Sequence, residues 1–327
     1  MISRRRVVVA FASGALTTAI SGLAQNSTRV FRIGWLALSD PKAPSPPLES
    51  LRAGLEKLGY VEGRNIVIDA RASRGSRERA DQMVIELVKS KVDVIVTQGG
   101  AAWSAYRYAG AIPVVMGFSG DPVEAKFVDS FARPGGSRTG MSFLALELVG
   151  KRLELLAEIA PSAKRMAVVA NPAHPGEQGE LRASQVAAQN LGISLGYFPV
   201  HSGEDVDSVL AAIASQTLQG LVIFPDAITL DHREKIAAFG VKHRMPTVSG
   251  WSAYADSGVL LTYGPNLGDC YAHLATYVDK ILKGAKPADL PMELPTSVEL
   301  AVNMKSAKAI GTRIPQSILV RADRVIE

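Results

Sequence analysis

Two glycines stand where an apolar segment gives way to a helical pattern, in the stretch TQGGAAWSAY at residues 97–106. A helix that begins at such a junction leaves backbone N–H groups unpaired in its first turn, and these groups attract anions. Glycine also lets a ligand approach the backbone closely. The junction therefore predicts a site for a small polar group, which at this point could be a phosphate, a nucleotide or another anion.

Motifs for nucleotide binding and catalysis are missing from the sequence. The stretch 34–37 has no second glycine where G-x-G-x-x-G would follow the first strand, and Gly150-Lys151 lacks the rest of a P-loop. No G-x-S-x-G occurs, and the five histidines have no metal-ligand spacing, so we interpret them as loop or helix-surface residues. The single cysteine, Cys270, fits a buried apolar position. We expect no enzyme activity, no metal and no cofactor.

Small polar residues instead follow the predicted strands. Asp121 precedes a proline, which is typical of a helix N-cap but equally compatible with ligand contact. Trp251 follows a glycine and either packs in the core or offers its ring to a ligand. The strand-end segments are Ser39-Asp40, Gln98-Gly99-Gly100, Ser119-Gly120-Asp121, Asn171-Pro172, Pro225-Asp226 and Gly250-Trp251.

The elements that must position these residues alternate regularly between apolar strands and amphipathic helices. Such alternation predicts parallel sheets with crossover helices. The second half echoes the first, with VDVIVTQGG and AIPVVMGF matched by QGLVIFPD and RMPTVSGW. The predicted strands are 31–38, 65–72, 92–97, 112–118, 165–172, 193–200, 220–226 and 245–251.

Three extended segments, 139–143, 259–263 and 291–300, are predicted to pass between two similar lobes. The predicted fold is α/β, with two Rossmann-like (flavodoxin-like) lobes whose parallel sheets are joined by a three-segment hinge. The predicted domains are a first lobe over 29–142 plus 262–290 and a second lobe over 143–261 plus 291–327. The carboxyl ends of both sheets would then line one cleft, where ligands bind in open α/β sheets.

The first 24 residues have the pattern of an export signal. A basic head, Arg4-Arg5-Arg6, precedes a short apolar body diluted by small residues and ends near Ala24. We expect a signal peptide over 1–24, export by the Sec or twin-arginine route and a periplasmic product; an uncleaved membrane anchor is the alternative. Removing it lowers the formal charge from +5 to +2, because it holds three arginines and no acid. The remaining charges are scattered, which argues against a nucleic-acid surface.

Segments spread over nearly all of the chain after residue 53 match a known family in order. They are GLEKLGYVEGRNIVID (54–69), KVDVIVTQGG (91–100), IPVVMGFSGDPVEA (112–125), FARPGGSRTGMS (131–142), GKRLELL (150–156), YGPNL (263–267), YVDKILKGAKPADLPMELPT (277–296), VELAVNMKSAKAIG (298–311) and IPQSILVRADRVIE (314–327). By these segments the chain resembles the ABC-transporter substrate-binding proteins related to tryptophan- and tyrosine-binding transport components, which have the type I periplasmic-binding fold. At three positions this chain departs from many relatives, with Gly100 for threonine, Ala101 for proline and Lys126 for glycine.

The resemblance implies a monomeric receptor that closes on an amino acid, an aromatic one among the candidates, or a related acid, and delivers it to an ABC permease with its ATPase. Alternatives are a secreted ligand-sensing module of a signalling system and an exported enzyme on the same fold. The ligand's carboxylate is expected at the backbone amides of 99–102, and either Asp121 or Asp226 would pair with an amino group. The implied ligand-binding residues are Ser39, Gly99, Gly100, Ala101, Ser119, Asp121, Asn171, Asp226 and Trp251.

Overall fold

A computed structural model describes residues 29–42 and 44–327, so the predicted signal segment 1–24 lies outside the described residues. The described chain forms two sheets, each covered by helices. Within the described ranges, no helix is long and apolar enough to cross a membrane.

The first lobe is built on a five-stranded parallel sheet with the order β2-β1-β3-β4-β5. Its strands are fully or nearly buried wherever the sequence shows continuous apolar runs, as in β3 and β4. Helix α1 begins at Pro46, where proline at the first helical position suits the fixed backbone angle. The elements are β1 Phe31–Ala37, α1 Pro46–Lys57, β2 Ile66–Ala72, α2 Arg77–Lys89, β3 Val94–Gln98, α3 Ala102–Tyr108, β4 Val114–Phe118 and β5 Arg138–Ser142.

The second lobe is built on a seven-stranded sheet with the order β12-β11-β10-β9-β8-β6-β7. Read from β7, the order β7-β6-β8-β9-β10 repeats that of the first sheet. The strands are β6 Arg165–Ala170, β7 Ser194–Pro199, β8 Gly220–Ile223, β9 Thr247–Ser249, β10 Leu261–Gly264, β11 Glu299–Asn303 and β12 Arg324–Ile326. Its helices are α4 Ala145–Ile159, α5 Glu177–Asn190, α6 Val206–Ala214, α7 Ala227–Asp231, α8 Arg233–Lys242, α9 Ser252–Asp256, α11 Met304–Ile310 and α12 Gln316–Leu319, whereas α10 Leu267–Leu282 lies in the first lobe.

One strand pair departs from the predicted parallel arrangement, because β11 runs antiparallel to β10. After β10 the chain enters the first lobe, where α10 packs on α1. It then returns to the end of the second sheet at which β10 finishes, and β11 begins there. A strand that starts beside the last residue of its neighbour must run antiparallel to that neighbour. The prediction of two α/β lobes with mainly parallel sheets is confirmed, with this exception.

The chain passes between the sheets three times: after β5, after β10 and before β11. Near the third passage the Glu293 amide donates to the Gly140 carbonyl over 3.0 Å, which ties that passage to the first. All of β10 belongs to the second sheet, whereas a boundary at 262 would divide this strand. We therefore propose that the first lobe resumes at 265.

Candidate functional site

The strand ends of the two lobes contact each other across the cleft. The Asp40 amide donates to Asp231 Oδ2 over 3.0 Å, and an Arg77 guanidinium N–H donates to the Ala173 carbonyl over 2.6 Å. At Gly176 the backbones meet, since a Cβ added there would lie 1.9 Å from the Ser119 carbonyl oxygen. The structure is therefore that of a closed cleft.

Asp226 lies between β8 and α7, at the N-cap of α7, and is 2% exposed. Its Oδ1 accepts from the Ile228 amide at 2.8 Å, which caps α7, and from the Asn171 side-chain amide at 3.2 Å. Its Oδ2 is buried and has no hydrogen-bond partner among the described residues. A buried carboxylate oxygen without a donor is costly, so this oxygen is suited to a cationic or N–H group of a ligand.

His174 lies in the loop that follows β6 in the same lobe, in agreement with its interpretation as a loop or helix-surface residue, but it is only 7% exposed. Its Nδ1 accepts from the Gly176 amide at 3.2 Å, which leaves the proton of the neutral ring on Nε2. Nε2 is buried and has no partner within the described ranges. Burial lowers the pKa of His174, while the Asp226 carboxylate acts in the opposite direction. The ring is therefore a neutral donor at pH 7.

The glycine junction at residues 99–100 lies beside this histidine. A Cβ on Gly99 would lie 3.7 Å from His174 Nε2, and Gly99 has a φ of +52°, in the left-handed region. Residues Gly99–Ala101 form a 3-10 turn that leads into α3, with no side-chain cap. A Cβ on Gly100 would lie 2.8 Å from the end of the Leu38 side chain, so a larger residue there would require this side chain to shift. Ala101 is fully buried in the first lobe's core.

Trp251 lies at the entrance to α9 and is 5% exposed, with its ring centroid 6.2 Å from that of Tyr254. The Tyr254 hydroxyl bonds Thr229 Oγ1 at 2.8 Å, which links this wall to the Asp226 cap. Trp251 and Ser39 line a cavity of about 240 Å³ between the lobes. The ring is thus both a packing residue and a cavity wall.

Asp121 and Ser119 lie at the opposite side of the cleft. Asp121 Oδ1 accepts from the amides of Val123 and Glu124 at 2.7 and 3.1 Å, so the predicted capping interaction forms, although a turn replaces the helix. Lys126 ends this turn with a φ of +60°, which suits the glycine that many relatives have there. Asp121 also borders a groove of about 500 Å³ that His174 lines. Ser119 is 3% exposed.

A buried ion pair beneath the second lobe's strand ends supports the site. Arg152 of α4 donates to Glu180 of α5 over 2.8 Å and to the Tyr263 carbonyl over 2.8 Å. The two side chains are 2% and 1% exposed. Burial raises the pKa of Glu180, and Arg152 partly offsets that shift. A Cβ on Gly250 would lie 2.7 Å from the guanidinium, so Arg152 packs directly under the segment that carries Trp251.

His174 makes a testable contribution to the pH dependence of stability. Because burial lowers its pKa, the unfolded chain binds a proton as the pH falls below about 6.5 while the folded chain does not. Folding is therefore destabilised at low pH, with a slope of at most about 1.4 kcal/mol per pH unit. His174→Gln should gain stability relative to the parent between pH 7 and pH 5 in urea unfolding. If the free energy of unfolding has the same pH dependence in the two proteins, His174 is not a buried neutral histidine.

Comparison with known proteins gives consistent matches over most of the chain. A family model described as ABC transporter substrate binding protein matches residues 47–326. The tyrosine-binding protein of Clostridioides difficile (strain R20291) is 22% identical over 271 residues, which cover 81% of this chain and 77% of that protein.

Solved structures show the same two-lobed periplasmic-binding fold. A conserved domain protein from Vibrio cholerae O1 biovar eltor (strain N16961) has a TM-score of 0.84 and 26% identity, covering 91% of this chain and all of that chain. An ABC domain from Streptococcus pneumonia in complex with L-Trp has a TM-score of 0.82 and 23% identity, with 91% and 100% coverage.

Proposed function

The chain belongs to the ABC transporter substrate-binding protein family, and from that premise we propose that it binds an amino acid between its lobes. It would act as a periplasmic receptor, not an enzyme, and deliver the amino acid to an ABC permease with its ATPase. The observation that carries the proposal is a pair of buried polar atoms, Asp226 Oδ2 and His174 Nε2, that have no hydrogen-bond partner in the part of the chain that the structure describes.

The two atoms have the complementary chemistry that a zwitterion requires. A carboxylate oxygen accepts from an ammonium group in a charge-assisted hydrogen bond, and a neutral imidazole N–H donates to a carboxylate. Gly99 places the start of the first lobe's helical turn beside His174, so backbone amides add donors for the same carboxylate. An amino acid held in this way contacts both lobes and favours the closed arrangement.

A ligand screen tests the proposal. Native mass spectrometry of the protein as purified would reveal a retained amino acid, and thermal shifts with the twenty amino acids would identify further ligands. A ligand at one hundred times its dissociation constant stabilises the folded state by about 2.7 kcal/mol. If no amino acid is retained and none raises the melting temperature, the proposed function is wrong.

The closed arrangement of the lobes can be tested by a substitution of Gly176, whose φ of −95° is allowed for alanine. Gly176→Ala should leave folding intact but weaken ligand binding by at least about tenfold, about 1.4 kcal/mol, because the new methyl group would meet the Ser119 carbonyl of the other lobe. Calorimetry gives the affinity and X-ray scattering gives the radius of gyration with and without ligand. The variant should fail to compact.

Gly150→Ala is the matched control for this closure test. It places a methyl group on α4 of the same lobe, where the nearest atom is 3.6 Å away, so its affinity should equal the parent's. Parent-like affinity and compaction in Gly176→Ala would contradict the closed geometry.

A further inference from the structure

Asn171 is the first residue after β6 and is 2% exposed. Both ends of its side-chain amide are hydrogen-bonded within the second lobe. The oxygen Oδ1 accepts from the Ala173 amide at 2.9 Å, and the nitrogen Nδ2 donates to Asp226 Oδ1 at 3.2 Å. A buried side chain whose amide is used in this way is better placed to orient a neighbour than to contact a ligand directly.

We propose that Asn171 is a positioning residue that orients the Asp226 carboxylate toward the ammonium group of the ligand. This inference rests on the proposed function and concerns the same site. Asp226 Oδ1 accepts two hydrogen bonds, from Asn171 and from the Ile228 amide at 2.8 Å. Rotation of the carboxylate about its Cβ–Cγ bond breaks both of them. The two bonds therefore keep Oδ2, which has no partner among the described residues, as the oxygen available to a ligand.

The Ala173 amide determines which end of the Asn171 side chain faces Asp226. A backbone N–H requires an acceptor, so the oxygen of Asn171 faces Ala173 and the nitrogen faces the carboxylate. The reverse orientation would place a donor against a donor and an oxygen against a carboxylate oxygen. The direction of the Asn171 N–H is therefore set before a ligand binds, and such preorganisation lowers the cost of binding.

The turn that begins at Asn171 also contributes to the site. The Asn171 carbonyl accepts from the His174 amide at 3.0 Å, and the Ala173 carbonyl accepts from Arg77 of the other lobe. A substitution that disrupts this turn would disturb His174 and the contact between the lobes together with Asp226. A test of the positioning role must therefore keep the turn and remove only the bond to Asp226.

Asn171→Ser meets this requirement. A serine hydroxyl can accept from the amide two residues later, as asparagine does, although more weakly. The serine side chain ends one bond earlier than that of asparagine, so it does not restore the bond to Asp226. The variant should bind L-tyrosine about tenfold more weakly than the parent. The deaminated acid of tyrosine has no ammonium group for Asp226, so its affinity should fall by less than about threefold. Calorimetry with the two compounds measures both changes.

Asn303→Ser is the matched control. Asn303 is 4% exposed and makes the same two kinds of bond, because its Oδ1 accepts from the Ser306 amide at 2.9 Å and its Nδ2 donates to the Ala255 carbonyl at 2.8 Å. Since β11 runs antiparallel to β10, Asn303 lies at the end of the second sheet opposite to the strand ends that face the first lobe. The control should bind both compounds like the parent.

Asn171→Ala provides a second variant for the same measurement. It removes the bond to Ala173 as well as the bond to Asp226, so both compounds should bind more weakly than to the parent. The affinity for L-tyrosine should still fall by the larger factor, because only the amino acid uses Asp226. Urea unfolding of each variant shows that the protein measured is folded.

The outcomes separate this inference from the proposed function. Parent-like affinity of Asn171→Ser for L-tyrosine, or equal losses for the two compounds in both variants, would overturn the positioning role and leave amino-acid binding standing. If the ligand screen selects a different amino acid, that amino acid and its own deaminated acid serve as the two probes. If the parent binds none of the twenty amino acids, the positioning role and the proposed function are both wrong.

Discussion

Arg152→Met is expected to lower the free energy of unfolding by about 3–5 kcal/mol, as measured by urea denaturation. The substitution leaves the Glu180 carboxylate buried without its cationic partner and removes the donor to the Tyr263 carbonyl. Desolvation without compensation is the physical reason. The adjacent exposed pair of Lys151 with Glu154 provides the control, since Lys151→Met should cost less than about 1 kcal/mol.

The destabilisation of Arg152→Met should depend on pH. Burial raises the pKa of Glu180 to about 7 even beside Arg152, and loss of the arginine raises it further. The folded variant then binds a proton that the unfolded chain does not, so its stability increases as the pH falls from 8 to 5. The double variant Arg152→Met, Glu180→Leu should recover most of the loss. A small, pH-independent cost for Arg152→Met would contradict this account of the pair.

Asp226→Asn is expected to weaken amino-acid binding by about 2–5 kcal/mol, at least about 30-fold. Asparagine keeps an oxygen that can accept from the Ile228 amide, so α7 remains capped while the charge opposite the ligand's ammonium group is lost. Unfolding measurements should show stability within about 1 kcal/mol of the parent. Calorimetry with the amino acid that the ligand screen identifies gives the affinity.

Asp205→Asn provides the matched control for this substitution. Asp205 accepts from the His201 and Ser202 amides at 3.0 and 2.9 Å before α6, so it is also an aspartate of the second lobe that accepts from backbone amides. Its asparagine variant should bind like the parent. Parent-like affinity in Asp226→Asn would exclude Asp226 as the ammonium partner.

The fold could be predicted from the sequence because apolar runs and amphipathic helices alternate with few interruptions. Strand β6 begins at its predicted residue, Arg165, and β4 ends at its predicted residue, Phe118. The antiparallel β11 could not be predicted from periodicity, because strand direction depends on which lobe the chain comes from. Strand β12 is three residues long and too short for a periodic signal.

The site could be predicted only in part. Strand-end positions identified Asp226 and Trp251 as candidates, but His174 was interpreted only as a loop or helix-surface residue, because a lone histidine between prolines gives no burial signal. Its place directly after β6 was the available clue. Gln98 was predicted to be a strand-end residue, yet only the structure shows that it lines the same cavity as Trp251.

The Arg152–Glu180 pair shows why buried charged residues are not identified from the sequence. Arg152 lies on the apolar stripe of α4, three residues after Val149 and four before Leu156, and all three are buried. Its position in the helix matches the buried face, but its residue type does not. Charged residues are mostly exposed unless paired, and the sequence does not show that the partner comes from α5.

Calorimetric titration of the parent protein with L-tyrosine, its deaminated acid and its decarboxylated amine tests the central claim most directly. If Asp226 binds the ammonium group while His174 and the Gly99 turn bind the carboxylate, the amino acid binds with one-to-one stoichiometry. Each truncated analogue should then bind at least about 30-fold more weakly. Equal affinity for all three compounds, or no binding of the amino acid, would contradict a cleft built for a zwitterion.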